Sequence, residues 1–131
     1  MEALAHPRSR GVVAQRAVAI TRVAQRSAAE VVVPIVVLVE VYQGNRADAG
    51  VDRVANQAAT PVGLDLRTAR LTGKLRTRAG VGSAVDAVVV ATAVRLGGGI
   101  IATGDRDDLR RLAADYPNVK VWSLNEGAPT S

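Results

Sequence analysis

The stretch Ser83 to Asp105, SAVDAVVVATAVRLGGGIIATGD, decides the fold. Ser83 stands where a helix cap belongs, and Ala84 to Leu96 is apolar at every helical position except Asp86, Thr92 and Arg95. Gly97, Gly98 and Gly99 stop that helix. Ile100 to Ala102 is then a short β-branched run, a buried strand. Asp105 caps a further helix, Arg106 to Ala114. Helix, buried strand and helix in succession predict an α/β fold on a parallel sheet.

The flanking segments extend the pattern. Val13, Ala17, Ile20 and Ala24 fall at helical spacing and predict a helix over Val13–Ala29. Val31 to Val33 reads as a strand closed by Pro34. Pro34 opens a helix from Ile35 to Tyr42, stopped by Gly44. Ala47 to Ala58 reads as a second helix, capped near Asp48. Pro61 to Leu64 reads as a strand, Leu66 to Ala79 as a helix stopped by Gly80, and Val119 to Trp122 as the last strand.

The 131 residues predict a single domain over 1–131, with a polar tail, 126–131, expected to fray. There is no Cys and a single His, His6. That excludes disulfides, thiolate nucleophiles, iron–sulfur clusters and multi-His metal sites. Any bound metal must be held by oxygen, which points to Mg²⁺ or Mn²⁺. Fifteen Arg and two Lys outweigh twelve acids, for a net charge of +5. Arg binds phosphate with its planar fork, although such a bias also follows from genome composition. No uncharged apolar run reaches the roughly 18–20 residues of a membrane span. Gly97-Gly98-Gly99 is not a phosphate loop, because it follows a helix and lacks the Gly-Lys-Ser/Thr ending.

Two carboxylates stand alone in apolar surroundings. Glu40 is the only charge between Val31 and Tyr42, and Asp86 the only charge between Val81 and Val94. Desolvating a carboxylate is expensive unless it is paired or bound to metal. The competing reading puts each acid on a narrow exposed stripe or beside an Arg. Thr103-Gly104-Asp105-Arg106-Asp107-Asp108 adds a third acidic position directly after a buried strand, although Asp105 and Asp108 also suit the start of a helix. On Leu66–Ala79, Arg67, Arg70, Lys74 and Arg78 step by three, four and four and form one basic face. That face suits a phosphate partner, and equally an ordinary solvated surface. With one Trp, two Tyr and no Phe, the chain offers little aromatic surface for stacking bases.

These motifs together resemble the PIN domain family. They are Val31-Val32-Val33-Pro34 with Leu38-Val39-Glu40-Val41-Tyr42, Leu71-Thr72-Gly73-Lys74-Leu75, Val85-Asp86-Ala87, and Thr103-Gly104-Asp105 with Asp108-Leu109. The likeness is greatest to VapC-type toxins of bacterial toxin–antitoxin pairs and runs from about Val31 to Trp122. It implies a three-layer fold with helices flanking the sheet. It also implies a Mg²⁺- or Mn²⁺-dependent endoribonuclease, a hydrolase of phosphodiester bonds, held inactive by a cognate antitoxin. Glu40, Asp86, Asp105 and Asp108 match the acidic quartet, and Thr103 a supporting position. RNA as substrate, a homodimer and a cytoplasmic location are implied in the same way. Members open with a short apolar strand ending in Asp. No such strand is read here, so the central first strand is expected to be absent, with the true start upstream of Met1. The alternative is a truncated, non-catalytic module that binds antitoxin or RNA without cutting.

Overall fold

The computed structural model describes residues 12–14, 31–58, 60–103 and 107–123. Ten elements follow one another there: β1 (Val12–Ala14), β2 (Val31–Pro34), α1 (Ile35–Val41), α2 (Asp48–Ala58), β3 (Thr60–Val62), α3 (Leu66–Ala79), α4 (Ala84–Arg95), β4 (Gly99–Thr103), α5 (Asp107–Leu112) and β5 (Val119–Ser123). The five strands form one sheet in the order β3-β2-β1-β4-β5. Every pairing is parallel.

The sheet corrects the expectation of a missing first strand. The central place is held by β1, which pairs Val12 with Val31 on one side and with Ile100 on the other. The expected helix begins at Val13, whereas Val12–Ala14 is a strand. The physical reason for the difference is tertiary. A short Val-rich segment between two strand edges gains ladder hydrogen bonds from both, and this outweighs a helical spacing that begins at Val13. The rest of the expected helix, and His6, lie outside the described residues.

Other boundaries shift by one or two residues. α1 ends at Val41 because Tyr42 is extended, with φ −67° and ψ 134°. Pro34 is the last residue of β2 and the cap of α1, with no side-chain hydrogen bond. Asp48 opens α2 but does not cap it. Its carboxylate accepts the N–H groups of Gln43 and Gly44, each at 2.8 Å, and so closes the preceding loop. β3 covers Thr60–Val62 rather than Pro61–Leu64, and α5 is shorter than expected.

α3 is bounded as the sequence predicts. The Asp65 carboxylate accepts the Thr68 N–H at 2.7 Å, and Gly80 ends the helix in the left-handed region at φ 68°. α4 is the central helix. It packs on β1, β2, β4 and β5 and on helices α1, α3 and α5. Its residues Ala87 to Ala93 are all buried. A helix that is apolar on every side belongs inside a protein. The many Ala and Val side chains let its neighbours approach closely. The buried hydroxyls of Thr72 and Thr92 donate back to the carbonyls of Thr68 and Val88, at 2.7 and 2.8 Å. β2 is buried at all four positions, the continuous apolar run of a strand covered on both faces.

Candidate metal and RNA site

Five parallel strands end together at Ala14, Pro34, Val62, Thr103 and Ser123. Ligands of such sheets collect beyond this edge. Thr103 is fully buried there, paired with Ser123 and one residue past Ala102, the partner of Ala14.

Asp86 occupies the first turn of α4. Ser83 is the cap, and its hydroxyl accepts the Asp86 N–H at 3.0 Å. Asp86 is half-buried, at the positive end of the helix dipole. The expectation that burial singles out an isolated acid therefore holds in part for this residue. It fails for Glu40, which is exposed on α1 beside Val39, itself 69% exposed. Glu40 is the lone charge of an apolar helix because that helix lies at the surface, with only Val37 and Leu38 buried. Asp107 and Asp108 open α5, with Asp108 half-buried. Asp105 lies outside the described residues.

The acids do not converge into a finished metal centre. Among the described residues, no group of three or more His, Cys, Asp or Glu side chains stands close enough to hold an ion. The donor chemistry, oxygen only, fits Mg²⁺ or Mn²⁺. The number of gathered donors falls short.

The basic face is real and uneven. Arg67, Arg70, Lys74 and Arg78 are exposed along α3, over about 16 Å of helix. Arg78 is engaged by a carboxylate 37 residues away. Its Nε lies 2.7 Å from Asp115 Oδ2, and its Nη2 donates to Asp115 Oδ1 at 2.9 Å. No sequence spacing announces that pair. Arg111, also unforeseen, joins Arg78 and Asp115 around a cleft of about 170 Å³ floored by Leu75, Ala79 and Leu112.

The matched family fits this architecture. The model of the PIN domain matches residues 12–115, from the first residue of β1 to Asp115. The chain belongs to the PIN domain family. PIN domains are generally nucleases, which makes this a hydrolase-type fold. Among solved structures, a chain of VapBC2 from Rickettsia felis, bound to a DNA fragment from their promoter, is similar in fold. It has a TM-score of 0.61 and 12% identity, with 86% of this chain and 98% of that chain covered. No curated protein matches the sequence. The PIN match spans every element except β5.

The Tyr42 hydroxyl donates to Asp52, which raises the Tyr42 pKa, and the ring stays at the rim rather than in the core. Trp122 is 7% exposed and packs in the core, and its Nε1 has no hydrogen-bond partner among the described residues. No single described helix is long and apolar enough to cross a membrane.

Proposed function

We propose that this PIN domain is a VapC-type endoribonuclease, the toxin of a toxin–antitoxin pair, working in the cytoplasm. The observation that carries the reading is the PIN match over 12–115 on a parallel sheet whose helices α4 and α5 each open with a half-buried carboxylate, Asp86 and Asp108. Asp86 and Asp105 act with Glu40 and Asp108 as the carboxylates for Mg²⁺ or Mn²⁺, and Thr103 supports them from the buried end of β4. Such an ion, when bound, supplies a water of lowered pKa and neutralises charge on the phosphate. The chain's own work is to orient the RNA. Arg67, Arg70 and Lys74 hold successive backbone phosphates along α3, with Arg78 shared between RNA and Asp115. The apolar side chains left exposed at Ile35, Val39, Leu64 and Leu66 support a protein partner, the cognate antitoxin or a second copy.

The direct test is incubation of the protein with total RNA in Mn²⁺ and in EDTA. Cleavage in Mn²⁺ that stops in EDTA is the expected result. Cleavage of equal rate in EDTA contradicts the reading. One observation favours the second reading, a module that binds RNA or antitoxin without cutting. The central strand β1 carries no acid, and no three acids meet among the described residues. Binding to RNA without cleavage in any divalent metal supports that reading.

A further inference from the structure

The four cations of the α3 face do not stand in equal surroundings. Arg70 and Lys74 are exposed and have no carboxylate partner among the described residues. Arg78, one turn beyond Lys74, is gripped from another element. Asp115, just past the end of α5, gives it both carboxylate oxygens: Nε stands 2.7 Å from Oδ2, and Nη2 donates to Oδ1 at 2.9 Å. Arg111 lines the same cleft, yet among the described residues no hydrogen bond or ion pair joins it to Asp115. A two-point pair of this kind is also what a phosphate forms with a guanidinium. The two side chains are 67% and 46% exposed, so the pair adds little to stability. Its consequence is electrostatic. The carboxylate cancels the charge at the end of the face and occupies the Nε edge of the fork.

We propose that Asp115 is a built-in competitor of RNA on α3, a positioning residue that withholds Arg78 from the phosphate backbone. This rests on the reading of α3 as the RNA face and adds the group that limits its affinity. RNA gains from each cation it meets by releasing condensed counterions, and affinity then falls with salt in proportion to the number of phosphates neutralised. Arg78 is already neutralised by Asp115 and adds little to that number. Arg70 and Lys74 act in full, and Arg78 only when Asp115 is displaced.

The experiment is fluorescence-anisotropy titration of a labelled single-stranded oligouridylate with the full chain, in EDTA to prevent cleavage, across a KCl series. Asp115→Asn is expected to bind about fivefold tighter at about 0.1 M salt, with a log–log salt slope steeper by about 0.7. Asp115→Ser makes the same charge change as a second variant, and melting curves confirm folding. Asp52→Asn removes one acid from α2 while keeping an acceptor for the Tyr42 hydroxyl. It controls for net charge and should keep the wild-type slope. Arg78→Gln added to Asp115→Asn should abolish the gain. Folded Asp115 variants with the wild-type slope overturn the proposal, and so does an equal gain in Asp52→Asn. Arg70→Gln combined with Lys74→Gln separates the proposal from the reading beneath it. If that pair weakens binding while the Asp115 variants change nothing, the RNA face stands and the role of Asp115 falls. If none of these variants changes binding, the RNA face falls and the proposal falls with it.

Discussion

Helices α4 and α1 are built from nearly the same material and occupy opposite environments. Both are rich in Val, and each carries one carboxylate, Asp86 and Glu40. α4 buries seven consecutive residues from Ala87 to Ala93, while α1 buries Val37 and Leu38 and leaves Ile35, Val39 and Glu40 exposed. Length and place make the difference. At 12 residues α4 runs about 18 Å, enough to cross the middle of the sheet. At seven residues α1 runs about 10 Å and packs mainly on β2 and α4. Hydropathy around a charge therefore does not measure its burial. The two carboxylates look alike in sequence, and only Asp86 is half-enclosed and held on a capped helix end.

The strongest way to break this contrast is to add a second charge to each helix. Val90→Asp places an unpaired anion at a fully buried position and should cost several kcal/mol. That is a large share of a typical total of about 5–15 kcal/mol. Val39→Asp should stay within about 0.5 kcal/mol. Urea unfolding midpoints decide, and equal losses would refute the contrast. A smaller effect is expected where α4 is entered. Gly82 has φ +91°, and a Cβ there would stand 2.7 Å from Leu112 Cδ1. Gly82→Ala should cost about 1–2 kcal/mol from the left-handed backbone alone, plus the clash. Gly80→Ala, with φ +68° and open space around it, should show the backbone cost only. Calorimetric melts of the pair separate the two contributions. Ser83→Ala removes the α4 cap and should cost about 1 kcal/mol, read as a lower melting temperature. α1 has no side-chain cap to lose.

The smallest effect is a pH dependence at the start of α3. The Thr68 N–H holds the Asp65 carboxyl below its usual value, with Arg95 and Arg67 adding to the effect. The folded state thus binds this proton less readily than the unfolded chain. The stabilisation is complete above the ordinary aspartate value and fades as pH falls through the lower folded one. Asp65→Asn should flatten the acid limb of a stability-against-pH curve below about pH 4. An unchanged limb would show that the cap contributes nothing there.

Much of the fold is legible because local signals agree with it. Gly80 stops α3, Ser83 starts α4, and Gly97 and Gly98 separate α4 from β4, all as capping chemistry predicts. β1 was not legible. Three residues carry too little pattern, and their strand state comes from the edges of β2 and β4, contacts distant in sequence. At the site, Asp86 and Asp108 were legible as acids in unusual places, but the exposure of Glu40 was not, since nothing local tells a surface apolar helix from a buried one. The Arg78–Asp115 pair was invisible for the same reason. It exists only because α3 packs against the end of α5.

Of the two isolated carboxylates, the half-buried Asp86 on its capped helix end is proposed to matter more for RNA cleavage than the exposed Glu40. RNA cleavage in saturating Mn²⁺ by Asp86→Asn beside wild type tests it most directly, with melting curves to show that both fold. Cleavage by wild type is expected to be lost in Asp86→Asn while the melting temperature stays close to wild type. A folded Asp86→Asn protein that cleaves RNA at the wild-type rate would contradict it.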